Sequence, residues 1–316
     1  MLKIPVVDLK FGVGSSQGKK EDYETLSKEI EEALSGVGFV YLVNHGIPND
    51  KIEQAFAASK TFFELPQELK VKYRKDASKG FHGYVEPGQE LLNENSTFEI
   101  RETFDIPAIR VDSFPEEVPD FKVTLLELKQ ACHPLIDLLN RILARSLKLE
   151  DGDYFYSNSK WMRDDSVRSM SSLRSLYYPP IRDDSTVLPG TVRCAEHTDY
   201  GTLTLLFQDS IGGLQVKTTD DKWIAATPIP GSILVNTGDL LEFWSSGYFP
   251  ATKHRVLIPE IELKKRIARQ SIVYFVHPDD DTIVAPLKNG TFDDKKYQEI
   301  SAGKHALMKL NATYQY

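Results

Sequence analysis

Three residues constrain this chain more than any others: His197, Asp199 and His254, which stand at the polar entries of β-rich runs far apart in sequence. The segment Cys194-Ala195-Glu196-His197-Thr198-Asp199-Tyr200-Gly201 leads into Leu203-Thr204-Leu205-Leu206-Phe207, an apolar run that reads as a strand. Residues two apart on a strand point to the same side, so His197 and Asp199 can reach one ion. A third donor has to come from a distant strand. His254 supplies it, in the run Ala251-Thr252-Lys253-His254-Arg255-Val256-Leu257-Ile258 after Pro250.

Two imidazoles and one carboxylate on one face of a metal leave the opposite face open, which favours Fe(II) with room for a co-substrate and oxygen. Zinc stays open as an alternative, although zinc sites usually keep a single position for water. His-x-Asp alone is commonplace and more often structural. Weight comes from a third run, Arg269-Gln270-Ser271-Ile272-Val273-Tyr274-Phe275-Val276, in which Arg269 and Ser271 share a face. A guanidinium on an inner face needs a fixed anion. Its planar fork suits the two oxygens of a carboxylate, and the Ser271 hydroxyl can donate a further hydrogen bond.

The ordered set His197-x-Asp199, His254, Arg269-x-Ser271 resembles the iron(II)- and 2-oxoglutarate-dependent dioxygenases, in their isopenicillin N synthase-like branch. The likeness runs through nearly the whole chain. It includes Ile4-Pro5-Val6-Val7-Asp8-Leu9, the stretch Gly38 to Ile47, Leu173-Arg174-Ser175-Leu176-Tyr177-Tyr178-Pro179-Pro180 and Asn236-Thr237-Gly238-Asp239. The resemblance implies an α+β fold with a distorted double-stranded β-helix (jelly-roll) core, flanked by N-terminal and C-terminal helices. It implies His197, Asp199 and His254 as iron ligands, with Arg269, Ser271 and Tyr178 holding 2-oxoglutarate. Arg174 follows as a contact to the co-substrate or to an acidic substrate.

The implied reaction oxidises a C–H bond of a small molecule with O2, releasing succinate and CO2, by hydroxylation, desaturation or cyclisation. Two rival readings remain: an iron oxidase that needs no 2-oxoglutarate, and a catalytically silent binding module on the same sandwich. The chain departs from most relatives in two places. The His254–Arg269 spacing is longer, which predicts an extended hairpin loop over Pro259 to Arg266, and Leu176 stands where many plant members carry Asn.

Periodicity predicts amphipathic helices over Tyr23 to Leu34 and Lys51 to Phe63, and a longer one over Phe121 to Leu147 that Pro134 should kink or interrupt. Short β-rich runs dominate from Ser171, and the tail from Asp293 to Leu310 returns to helix. The 316 residues contain no Gly/Ser- or Pro-rich linker, so a single oxygenase domain is expected. Within it, 1–120 would be the N-terminal region, 155–285 the jelly-roll core and 290–316 the C-terminal helix.

Of the other histidines, His45 and His277 read as turn residues, while His133 and His305 fall in helices. The glycine- and aromatic-rich segment from Lys79 to Gly88 offers Tyr84, Glu86 and His82 as substrate-side residues on a closing loop, a surface turn being equally compatible. Phe98 to Ile106 reads as an edge strand or a set of structural ion pairs. A net charge of −8 argues against a nucleic-acid surface. No apolar run approaches the roughly 20 residues of a membrane span, and no secretory pattern opens the chain. Two cysteines fit a reducing, cytoplasmic setting.

Overall fold

The computed structural model describes residues 3–10, 20–79, 81–90, 92, 99–181, 192–258, 266–287 and 297–313. Strands and helices follow in chain order. The N-terminal region holds β1 (Val6–Asp8), α1 (Lys20–Gly36), β2 (Phe39–Val43), α2 (Asn49–Phe63), α3 (Gln67–Lys70), β3 (Gly83–Val85) and β4 (Glu102–Pro107). Helices α4 (Asp120–Ser146) and α5 (Tyr154–Ser157) precede β5 (Ser172–Tyr178), β6 (Cys194–His197), β7 (Leu203–Gln208), β8 (Leu214–Lys217), β9 (Trp223–Ala225) and β10 (Ser232–Thr237). Then come α6 (Asp239–Trp244), β11 (His254–Val256), β12 (Arg269–Val276), β13 (Ile283–Val284), β14 (Ile300–Ser301) and α7 (Ala302–Thr313).

Two sheets form a sandwich that does not close on itself. The major sheet has the order β1-β2-β10-β7-β12-β5-β4-β3 and the minor one β6-β11-β8-β9. All their pairings are antiparallel except β1 with β2. The β13–β14 ribbon stands apart.

Strand alternation divides the major sheet into two faces with different partners. Val40, Leu42, Phe104, Ile106, Leu173, Tyr177, Leu205, Ile233, Val235, Ile272 and Tyr274 join the core under α1, α2 and α4. Their neighbours Phe39, Tyr41, Leu176, Tyr178, Leu234 and Val273 turn the other way and meet Leu214, Val216 and Val256 of the minor sheet. The catalytic pocket occupies this second, inter-sheet space.

The expected helices form, with α1 and α2 slightly longer than their periodicity suggested. Pro134 does not interrupt α4, which runs for 27 residues. A proline inside a helix costs roughly 3 kcal/mol. Burying Leu128, Cys132, Leu135, Ile136, Leu139, Ile142 and Leu143 along one helix offsets it. The tail helix starts only at Ala302, because Ile300–Ser301 first pairs with Ile283–Val284, while 293–296 lie outside the described residues. Phe98 to Ile106 is not an edge: β4 pairs β3 on one side and β5 on the other, with residue 98 outside the described residues. The loop expected between His254 and Arg269 falls largely on 259–265, also outside them.

Candidate active site

β6 and β11 are antiparallel neighbours, and their register sets His254 directly against His197. Asp199, just past the end of β6, brings a carboxylate Oδ1 to 3.8 Å from His197 Nε2 and 3.7 Å from His254 Nε2. One donor atom from each residue lies within 4.8 Å of the others, so the trio could hold one ion. The two strands that were far apart in sequence therefore deliver all three donors to one point.

Each imidazole is fixed from behind. His197 Nδ1 lies 2.8 Å from the carbonyl of Ala195, and His254 Nδ1 lies 3.1 Å from that of Thr252. A carbonyl only accepts, so Nδ1 carries the proton in both rings and each Nε2 lone pair is turned toward the shared point. Metal-binding histidines are held in this way. Burial, with His197 adding to it, lowers the His254 pKa to about 4, which keeps that ring neutral as a ligand must be. Asn236 donates to Asp199 Oδ2 at 2.6 Å and so orients the carboxylate. Burial alone would raise the Asp199 carboxyl, but His254, His197 and the Asn236 hydrogen bond bring it below the ordinary range.

Across the pocket, Arg269 and Ser271 share the inner face of β12, and Tyr178 lies opposite Arg269 on β5. The guanidinium sits 4.7 Å over the Tyr178 ring, donates through Nε to the Gly212 carbonyl at 2.7 Å, and approaches Ser271 Oγ at 3.3 Å. It is 1% exposed and forms no ion pair among the described residues. That leaves its fork a carboxylate short.

Arg174 also lines the pocket, but two carboxylates already hold it. Its Nε donates to Asp105 at 2.6 Å and its Nη1 to Glu90 at 2.9 Å. Arg101 pairs with Glu90 at 3.2 Å and Glu99 at 2.9 Å, and Lys75 with Asp105 at 2.8 Å. Lys75, Glu90, Arg101 and Asp105 face the pocket as Arg174 does. Lys75 and Glu90 did not stand out in the sequence, whereas Arg101 and Asp105 fall in the stretch read as an edge strand or a set of structural ion pairs, and they form such pairs. The charged character of Phe98 to Ile106 was the one signal of them.

Tyr84, Glu86 and His82 do not line the pocket. Tyr84 pairs in register with Phe104, so its ring belongs to the helix-side core, where its hydroxyl donates to Glu102. Glu86 is engaged by Arg74 and Gln67, and His82 packs against Phe104 and Phe114 with its ring on the Ser113 carbonyl. Phe81 and Lys75 line the pocket from this part of the chain instead. His277 is a further surprise. It lines the pocket, and burial lowers its pKa to about 4. Tyr200, with Ala306 and Leu310 from α7, completes that side. Trp244 and Phe249 are core residues.

Comparison with known proteins agrees with this geometry. The 2OG-Fe(II) oxygenase superfamily profile matches residues 169–278, and that of the N-terminal region of non-haem dioxygenases in morphine synthesis matches 4–133. A 2-oxoglutarate-Fe(II) type oxidoreductase, ppzD, of Metarhizium rileyi is 30% identical over 94% of this chain and 88% of its own. The chain belongs to the 2OG-Fe(II) oxygenases. Proline hydroxylase buaE of Petromyces alliaceus is 32% identical, covering 92% of this chain and 94% of its own. A full-length Neurospora crassa protein, crystallised in complex with alpha-KG, superposes with a TM-score of 0.83 at 32% identity, covering 98% of this chain and 96% of that one. A putative 2OG-Fe(II) oxygenase family protein of Caulobacter crescentus superposes at 0.82, with 26% identity over 99% of both chains.

The oxygenase therefore has the jelly-roll core that its family shares, and it is a 2-oxoglutarate-dependent enzyme using Fe(II) and O2. The His-Asp-His set is chemically suited to that metal: neutral imidazoles and one carboxylate, on one side only. Among the described residues, no helix is long and apolar enough to cross a membrane.

Proposed function

We propose that His197, Asp199 and His254 hold the Fe(II), and that Arg269 and Ser271 hold the far carboxylate of 2-oxoglutarate above the Tyr178 ring. The observation carrying this reading is a buried guanidinium with no ion pair among the described residues, across one pocket from three converging metal donors. When bound, the metal supplies the O2 chemistry that oxidises a C–H bond as 2-oxoglutarate becomes succinate and CO2. The chain supplies position. The Ala195 and Thr252 carbonyls hold the imidazole tautomers, Asn236 aims the carboxylate, and Arg269 sets where the keto acid lies.

The substrate side supports a finer reading. Among the described residues, Lys75, Arg101 and Arg174 are matched there by Glu90, Glu99 and Asp105, so that wall offers hydrogen bonds without net charge. An anionic substrate would have to break one of those pairs, at a cost of several kcal/mol. We assign a small, polar, overall neutral substrate. The Neurospora crassa relative, at 32% identity, has been solved with alpha-KG and thymine, a molecule of that kind. The whole chain reads as one oxygenase domain, with 1–120 as its N-terminal region, 155–285 as its core and α7 (Ala302–Thr313) near its C-terminal end. Two free, buried cysteines, Cys132 and Cys194, support a cytoplasmic setting.

The test is a screen for substrate-stimulated succinate release and O2 uptake. Neutral polar compounds, thymine among them, should stimulate both in equal amounts, and small dicarboxylates should not. Oxygen uptake without succinate would sink the 2-oxoglutarate assignment. Stimulation by anionic compounds alone would sink the assignment of a neutral substrate.

A further inference from the structure

A second cavity, of about 330 Å³, lies on the helix side of the major sheet. Its walls are the end of β4 and the segment after it, α4, and the stretch around Met162 to Asp165. Asp105 faces the catalytic pocket, whereas the next residue, Ile106, lines this cavity. His133 of α4 also lines it and lies 3.2 Å from the hydroxyl of Tyr274, whose neighbour Phe275 faces the catalytic pocket. The two spaces thus share a wall and are otherwise separate.

The lining is apolar inside and cationic around it. Ile106, Val111, Phe114, Leu126 and Met162 supply the apolar surface. Arg110, Lys122, Lys129 and Arg163 supply positive charge, and Asp165 is the only acid among the lining residues. Asp112 answers Arg110 and Lys122 from 3.7 and 3.5 Å, and Asp137 answers Arg163. Asp279 also bears on Arg163. The positive charge without an ion-pair partner is on Lys129, 6% exposed, whose ammonium donates to the Pro107 carbonyl at 2.8 Å and forms no ion pair among the described residues.

Burial lowers the Lys129 pKa to about 8, with Asp165 opposing only in part. Burial, then Arg163 and Lys129, lowers His133 to about 4. An ammonium held in an apolar recess is costly unless an anion meets it.

We propose that this cavity binds a small organic monoanion, a carboxylic acid with an apolar body, its carboxylate on Lys129 and its body against Phe114, Leu126 and Met162. A ligand there bears on the back of β4, the strand that carries Asp105 on its other face.

Fluorine NMR titration with 4-fluorobenzoate tests this, on enzyme loaded anaerobically with Fe(II) and saturated with 2-oxoglutarate so that the Arg269 end is filled. Saturable binding to one site is expected, with the uncharged 4-fluorobenzamide at least tenfold weaker. Lys129→Met should weaken 4-fluorobenzoate at least tenfold, and Leu126→Trp, which fills the cavity without altering charge, should weaken it equally. Arg269→Leu should titrate like the parent, which keeps this result independent of the active-site assignment. Absence of saturable binding, equal affinity for the amide, parental affinity in folded Leu126→Trp, or loss of binding in Arg269→Leu would each overturn the proposal.

Discussion

Arg174 and Arg269 lie on adjacent strands, face the same pocket and are both buried, yet they live in opposite electrostatic circumstances. Arg174 is clamped by Asp105 and Glu90 in a network where charge balances. Arg269 rests on a backbone carbonyl, a hydroxyl and a ring, with no ion pair among the described residues. Burial does not by itself make an arginine a ligand-binding residue; the absence of a carboxylate does. One end of the pocket is finished by folding, and the other is the end proposed to receive a second molecule.

The sharpest break would come at the metal donors themselves. His197→Ala should abolish the charge-transfer absorption that Fe(II) and 2-oxoglutarate give together under anaerobic conditions, with the circular dichroism spectrum unchanged. Persistence of the band would remove His197 from the donor set.

Glu90→Gln tests the balanced end. It leaves Arg174 and Arg101 short of a buried partner, and should cost about 3–5 kcal/mol of stability at neutral pH, seen in a denaturant melt. Burial alone would raise the Glu90 carboxyl, but Arg174, Arg101 and Lys75 overturn that and hold it well below the ordinary carboxylate range. Its contribution is therefore complete above the unfolded carboxylate pKa of about 4 and fades as the pH falls below it. The gap between parent and variant should narrow on acidification, and a gap that stays constant would contradict the pairing.

Arg269→Leu should do the reverse. Folding should hold or improve, since a lone buried charge is removed, while the 2-oxoglutarate dissociation constant rises about a hundredfold or more. Loss of stability comparable to that of Glu90→Gln would erase the distinction between the two ends. Asn236→Ala is the gentlest change, expected to weaken Fe(II) about 10- to 100-fold by freeing the Asp199 carboxylate. An unchanged metal affinity would reduce the Asn236 hydrogen bond to a packing detail.

The same contrast explains what could be read from the sequence. Arg269, Ser271 and the His197–Asp199 pair are legible because residues two apart on a strand share a side, and that rule needs no tertiary information. His254 is legible as a polar residue opening a β-rich run. Glu90 and Lys75 are not, and Asp105 is legible only as one of a set of structural ion pairs, because their partners depend on which strand stands beside which. The assignment of Tyr84 fails for a related reason: its register with Phe104 turns the ring to the helices, and glycine-rich surroundings say nothing of register. Pro134 does not interrupt α4 because its local penalty is outweighed by the apolar surface that the helix buries, which the local sequence around it does not show.

Alternation along β5 and β12 gives every second residue to the reaction chamber and turns most of the others to the helical support. Specificity and foldability are thereby written on interleaved positions of the same segments. A lineage can rewrite one set at Arg174, Val273 or Phe275 while leaving the other untouched, so a single scaffold can be turned to new substrates by small steps.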